Sequence, residues 1–171
     1  PASDQFTSIA VDAANACFYI TGTGGTLLKG TKSGGIIDLE ALAPTGVSTT
    51  DLFRVAIFGP DHIAVGGAGS GYYAESFDGG ETWQNPAVPG TGTIKGIAGT
   101  SFIRYVVGAG TVLAERSVLT DNNYKTKVLT SGATVAGDYN DVVSIEDEHE
   151  YFLAVTASGE VVFVKPAAPG S

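Results

Sequence analysis

The chain has 171 residues, a length that suits one domain with a sizeable hydrophobic core. Its net charge of −9 and its nine scattered basic residues argue against binding to a nucleic-acid backbone or to an anionic membrane surface. No apolar run approaches the roughly 18 residues that a membrane-spanning helix needs.

The composition favours strands over helices, because the chain holds 24 glycines and is rich in β-branched and aromatic residues. The single cysteine, Cys17, excludes a disulfide within the chain, and its apolar neighbours predict a buried thiol that acts as a small hydrophobic group. The chain begins with Pro1-Ala2-Ser3 and has no hydrophobic leader segment. We therefore expect a protein that is made in the cytoplasm without a signal peptide and is intact at its start.

The sequence repeats itself four times as strand, turn, strand, turn, strand. The predicted first strands are 6–11, 53–58, 94–98 and 140–145, and Ile9, Val55, Ile97 and Val143 align them at spacings of 46, 42 and 46 residues. The second strands are predicted at 18–22, 62–66, 105–108 and 152–156, and the third at 25–28, 71–74, 110–113 and 159–162. Weaker fourth strands are predicted at 37–42, 82–88 and 126–129, with none in the last repeat.

We interpret the chain as one domain, 1–171, with units at 6–50, 51–92, 93–137 and 138–165 and a loose tail at 166–171. A period near 43 residues with three or four strands per unit is typical of a β-propeller, so the predicted fold is an all-β array of about four small antiparallel blades. Each blade must cover its faces, so the ring closes on itself, with residues 2–6 as an added outer strand, or is completed by a neighbouring chain. An open β-stack and a β-sandwich are the competing interpretations.

Residues 76–83 read Ser-Phe-Asp-Gly-Gly-Glu-Thr-Trp. The short polar side chains of Ser76 and Asp78 are suited to hold a tight turn, and Gly80 can take the positive φ that such a turn needs. Trp83 has a large ring to bury, and Thr82 completes the pattern. This octapeptide resembles the Asp-box of sialidases, sortilin-type receptors and photosystem-II-assembly-factor-like propellers. The resemblance implies a structural motif on the outer edge of a blade, away from any ligand site.

The same resemblance raises the question of sialidase activity, which in that family needs an arginine triad, a tyrosine nucleophile with a glutamate partner, and an aspartate acid/base. The chain has three arginines, Arg54, Arg104 and Arg116, and its alternation gives no reason for them to converge. Residues 53–56 also depart from the family's Phe/Tyr-Arg-Ile-Pro element at the proline. We therefore predict no catalytic residues.

No metal or cofactor site is predicted. The run Glu146-Asp147-Glu148-His149-Glu150 lacks the spacing of a calcium loop and indicates a solvated acidic turn. His62 follows Pro60-Asp61 and is interpreted as an exposed turn residue. The glycine-rich stretches 22–25 and 66–71 are not followed by the residues of a phosphate-binding loop and indicate hairpin turns.

The favoured hypothesis is a non-enzymatic structural or interaction protein that forms a homo-oligomer or a larger assembly through protein contacts. Its composition and unprocessed start resemble those of virion proteins, such as bacteriophage capsid decoration or tail-associated components. The alternative is a glycan-binding propeller module that uses Tyr72, Tyr73 and Tyr105 near the turns. A sialidase-like glycosidase is the third hypothesis.

Overall fold

The computed structural model describes residues 5–46, 50–90, 92–100, 102–110, 112–119, 121–126, 137–145 and 151–165. Within these ranges the chain forms fourteen β-strands and no α-helix. None of the described segments is a helix long and apolar enough to cross a membrane. The predicted all-β fold is therefore confirmed.

The strands form four antiparallel sheets that follow one another along the chain. The first sheet contains β1 (Phe6–Asp12), β2 (Cys17–Gly22), β3 (Leu27–Ser33) and β4 (Ile36–Ala41). The second contains β5 (Leu52–Gly59), β6 (His62–Gly67) and β7 (Tyr73–Ser76). The third contains β8 (Ile94–Gly99), β9 (Ile103–Gly108), β10 (Val112–Ser117) and β11 (Lys125–Thr126). The fourth contains β12 (Tyr139–Ser144), β13 (Phe152–Thr156) and β14 (Val161–Val164).

The fourth strand predicted at 82–88 is wrong, because only a single bridge between Glu75 and Gln84 forms there. Pro86 and Pro89 lack the N–H groups that a longer ladder would need. The fourth strand of the first sheet is present as β4, and the third sheet has the short β11. Residues 127–129, the tail at 166–171 and residues 2–4 of the added strand predicted at 2–6 lie outside the described residues. The end of that segment, Phe6, belongs to β1 of the first sheet.

Each sheet carries an irregularity in the pairing of its first strand, and these four sites are equivalent. The register shifts just before Ser8, Arg54, Gly96 and Asp141, at spacings of 46, 42 and 45 residues. The residue that corresponds to Ile9 in the fourth sheet is therefore Val142. The sequence alignment with Val143 is off by one, which places that side chain on the opposite face of the sheet.

Neighbouring sheets pack face to face, and each sheet has a backward face toward the preceding sheet and a forward face toward the next. Three separate hydrophobic cores fill the three junctions. At the first junction, Cys17, Tyr19 and Leu27 on the forward face of the first sheet meet Val55 and Val65 on the backward face of the second. At the last, Tyr105 meets Phe152 with ring centroids 4.1 Å apart.

The first strands of the sheets lie side by side, with β1 against β5, β5 against β8, and β8 against β12. Arg54 and Asp141, on the first strands of the second and fourth sheets, form an ion pair of 2.8 Å along this inner edge. The fourth and first sheets share no hydrophobic core among the described residues. In the described part of the chain, the four sheets thus form an arc that is open at both ends.

Candidate functional site

The octapeptide at 76–83 folds as a hydrogen-bonded turn after β7. Ser76 Oγ accepts hydrogen bonds from the backbone N–H groups of Asp78 and Gly80, at 3.3 and 2.8 Å. The carboxylate of Asp78 accepts from the backbone N–H of Thr82 at 2.9 Å and from its hydroxyl at 2.5 Å. Gly80 has a φ of 100°, which only glycine adopts readily. The polar groups of the turn are thus directed at its own backbone.

The turn also braces the second sheet against the first. The indole Nε1 of Trp83 donates to the carbonyl of Gly80 at 2.9 Å, and the ring packs against the core between the two sheets. The Tyr19 hydroxyl donates to the carbonyl of Gly79 at 3.3 Å. Hydrogen bonds from the hydroxyl and backbone of Thr82 lower the pKa of Asp78 to about 2. These contacts give the turn a structural role within the array.

Two of the three tyrosines proposed to contact a glycan are buried. Tyr105 is 0 % exposed and Tyr73 is 2 % exposed, so neither ring presents a surface to a ligand, and the prediction for these two is corrected. Tyr73 packs edge to face on Tyr124, and the Tyr105 hydroxyl donates to Glu115. Tyr72 is partly exposed, but its hydroxyl donates to the carbonyl of Thr45, and burial raises its pKa to about 12.

A buried ionic cluster joins the second and third sheets. Glu75 on β7 is fully buried and forms ion pairs with Arg116 on β10 and with Arg104 on β9. His62 Nε2 donates to Glu75 Oε1 at 2.7 Å, which leaves Nδ1 to accept from Arg104 Nη2 at 3.2 Å. The Arg104 guanidinium also lies 3.8 Å above the centre of the Phe58 ring.

The groups of the cluster stabilise the ionised carboxylate of Glu75. Burial alone would raise the pKa of Glu75, but the hydrogen bond from His62 and the charges of Arg116 and Arg104 hold it below its ordinary value. Alternation along β7 places Glu75 on the same face as Tyr73, and all four residues of this strand are buried. His62 is correspondingly no exposed turn residue: its ring contacts Phe58 and Phe77, with centroids 5.3 and 4.2 Å away.

The three arginines do not form a triad around an open site. Arg104 and Arg116 share Glu75, whereas Arg54 pairs with Asp141 at the inner edge of the arc. An open depression of about 500 Å³ lies beside Arg116 and is lined by residues that include Phe77, Asn85 and Asn122. The Arg116 guanidinium next to it is already paired with a carboxylate.

No group of three or more potential metal ligands occurs among the described residues. The acidic run at 146–150, with His149, lies outside them. Cys17 is buried in the junction between the first two sheets, as the sequence indicates.

The backward face of the first sheet has no partner among the residues that the structure describes, and it is almost entirely apolar. The register places Ile9 opposite Ile20, Val11 opposite Phe18, and Leu39 opposite Gly30, so all of these lie on that face. Val11 is 68 % exposed, and Ile9, Ile37 and Leu39 are each more than half exposed. The described part of this face has one charged residue, Lys32, opposite Ile37. We call this surface the first end face.

The forward face of the fourth sheet is the matching surface at the other end of the arc. Val143, Leu153 and Phe163 lie opposite one another across its three strands, and Val155 lies opposite Val161. Phe163 is 70 % exposed, and Val161 and Val143 are at least half exposed. We call this surface the second end face. The unclosed repeat was the sequence signal for a surface completed by a neighbouring chain, but the residues of the two end faces were not predicted from it.

The four-sheet arc resembles solved propeller structures. YCF48 from Cyanidioschyzon merolae matches 98 % of this chain with a TM-score of 0.62 and 17 % identity, and 55 % of that chain is covered. YCF48 bound to D1 peptide matches 95 % with a TM-score of 0.61 and 14 % identity, and 50 % of it is covered. An ancestral GH74 enzyme matches 98 % with a TM-score of 0.68 and 15 % identity, and 28 % of it is covered.

The fold of this chain is that of a β-propeller. Identities of 14–17 % show the architecture alone. A scan of protein-family models and a search of curated proteins both find no match. The propeller arc spans about half the length of either YCF48 chain and under a third of the GH74 enzyme.

Proposed function

We propose that this propeller arc is a non-enzymatic structural protein that works by binding other protein surfaces. The observation that carries the proposal is the pair of exposed apolar end faces. Contiguous exposed apolar patches on soluble proteins typically mark sites of protein association. Here the two patches occupy opposite ends of one arc, which suits a component that is built into a larger assembly.

The engagement of the arginines supports a role without catalysis. A sialidase-like site needs arginine side chains that are free to hold a substrate carboxylate. Arg104 and Arg116 are buried on Glu75 and Arg54 is paired with Asp141, so each guanidinium already has a carboxylate partner. In the octapeptide turn, which we assign to the Asp-box type, the polar side chains likewise form hydrogen bonds to the backbone of the turn itself.

A virion component of a bacteriophage, as a capsid decoration or tail-associated protein, is the setting that we propose for this function. The chain has a net negative charge but few charged residues. This composition and the end faces agree with a protein that coats or extends an assembly. The partially exposed Tyr72 is the one remaining tyrosine for the alternative glycan-binding hypothesis, and its hydroxyl is already bonded to Thr45. That hypothesis and the glycosidase hypothesis remain predictions.

The test is whether the chain is present in particles. Phage particles from the source that encodes the chain are purified on a density gradient and analysed by mass spectrometry. We expect peptides of the chain at a stoichiometry comparable to that of other structural proteins. A chain that is abundant in the lysate but absent from the particles would contradict the virion setting.

A second assay addresses catalysis. The purified chain is tested on fluorogenic glycosides, sialosides among them, beside the Arg54→Ala variant. We expect no turnover by either protein. Hydrolysis by the unmodified chain that the Arg54→Ala substitution abolishes would overturn the non-enzymatic proposal.

A further inference from the structure

The two end faces are of opposite kinds. The first end face is a backward face, equivalent to the surface with which the second sheet receives the first. The second end face is a forward face, equivalent to the surface that the third sheet offers to the fourth through Tyr105, Val107 and Leu113. Forward and backward faces pack together at all three junctions within the chain. Each end face is therefore equivalent to one side of a junction that this chain already forms between its own sheets.

We propose that the occupant of both end faces is a second copy of this chain. The second end face of each copy packs on the first end face of the other, and the two arcs form one closed ring of eight sheets. This inference rests on the proposed function and names its first partner. Eight blades lie within the range of about 4–8 that is typical of propellers.

The length of the structural relatives agrees with a doubled arc. This chain covers 55 % and 50 % of the two YCF48 chains, so two copies supply about the number of residues in one of them. A twofold ring also leaves neither end face exposed, because each copy provides one face of each kind. An assembly of like faces, first against first, would leave the second end face uncovered.

The area of the faces is comparable to that of a small specific interface. Three strands about 4.8 Å apart and about six residues long, at about 3.3 Å per residue, give each face roughly 280 Å² of flat area. The four faces of two junctions then bury roughly 1,100 Å², to which the relief of side chains such as Phe163 adds, and stable interfaces begin at about 1,200 Å².

The charges on the faces permit this contact even though each chain has a net charge of −9. The described residues of the first end face include one charged side chain, Lys32, and Asp141 at the inner edge of the second end face is paired with Arg54. The like charges of the two copies are therefore carried elsewhere. Burial of the two faces requires no unpaired carboxylate in the contact.

Sedimentation velocity of the purified 171-residue chain tests the proposal. We expect a species of twice the 17.4 kDa chain mass at micromolar concentration. Val11→Glu and Phe163→Lys each place a charge in a different end face, and each should raise the dissociation constant at least about 30-fold. Phe102→Glu is the matched control, because Phe102 is 54 % exposed and lies on neither face. It should leave the dimer intact, and circular dichroism verifies that every variant is folded.

A mixture of the two interface variants distinguishes the two modes of pairing. If unlike faces pack, Val11→Glu mixed with Phe163→Lys forms a heterodimer with one native junction and one junction of opposite charges, and the dimer returns. A dimer that only one of the two substitutions dissociates would contradict the unlike pairing. A monomeric unmodified chain, or a control variant that dissociates, would overturn the second-copy proposal. The particle test above does not depend on this result, so the two proposals fail separately.

Discussion

The carboxylate of Glu75 in the second sheet accepts a hydrogen bond from the Arg116 guanidinium in the third, and both side chains are buried. Arg104 and His62 complete the same cluster from opposite sides of the junction. This junction therefore combines a hydrophobic core with a buried ionic cluster. Glu75 is the single acidic group of this cluster and serves two cations.

Replacement of Glu75 by glutamine should destabilise the protein strongly. Glu75→Gln keeps the shape of the side chain but leaves Arg104 and Arg116 buried without a negative partner. Removal of one partner from a buried ionic group typically costs about 3–5 kcal/mol of the free energy of unfolding. Urea denaturation at neutral pH measures the loss, with the exposed Glu40→Gln as control. A loss below about 1 kcal/mol would contradict the account of the cluster.

Because of the turn after β7, the stability of the protein should change with pH in the acid range. The hydrogen bonds from Thr82 lower the pKa of Asp78 to about 2, below the 3.8 of an ordinary aspartate. The stabilisation is therefore complete above pH 3.8 and is lost as the pH falls through about 2. Asp78→Asn should lower the melting temperature at neutral pH, and the difference from the unmodified chain should shrink as the pH falls toward 2. Melting curves recorded across this range check it, and a difference that stays constant with pH would disagree.

Gly108 should tolerate no side chain. A Cβ atom there would lie 1.9 Å from the carbonyl oxygen of Thr93, and this oxygen is backbone that cannot rotate away. Gly108→Ala should cost about 3 kcal/mol or more of the free energy of unfolding. Gly59→Ala is the matched control, because nothing lies within 4 Å of its added Cβ, and it should be neutral or slightly stabilising. Guanidinium denaturation compares the two, and equal effects would be inconsistent with the described packing.

Salt should strengthen self-association. Each copy has a net charge of −9, so two copies repel one another at low ionic strength, while the end faces themselves are apolar. A rise from about 0.05 M to about 0.5 M sodium chloride screens this repulsion and should lower the dissociation constant. Sedimentation at both concentrations provides the measurement. Dissociation of the dimer by salt would instead indicate a contact held by ion pairs.

The sequence predicted the all-β architecture because hydrophobic alternation and a repeat near 43 residues are properties of the chain itself. It also predicted the turn chemistry of Ser76 and Asp78, which depends on residues only a few positions apart. The register was harder to predict. The pairing irregularity before Asp141 lies 45 residues after the one before Gly96, so the alignment at 46 residues chose Val143, which lies on the opposite face, and the sequence does not mark this difference of one residue.

Burial of the tyrosines and the ionic cluster could not be predicted from neighbouring residues, because both depend on which sheet packs against which. Tyr105 follows a turn in sequence but meets Phe152 of the next sheet. Alternation alone gives no reason for Arg104 and Arg116 to converge, yet they meet at Glu75, which lies 29 and 41 residues before them in the chain. That the arc is open at its ends could be recognised only from the packing of all four sheets.

Hydroxyl-radical footprinting of the purified chain tests most directly whether the two end faces are covered in solution. The oxidation rates of Val11 and Phe163 are compared with that of Phe102, which is exposed to a similar extent in one chain. At micromolar protein we expect Val11 and Phe163 to be protected relative to Phe102, and we expect dilution or the Val11→Glu substitution to remove the protection of Phe163. Oxidation of Val11 and Phe163 at the rates of exposed residues under all conditions would contradict the claim that these faces are association surfaces.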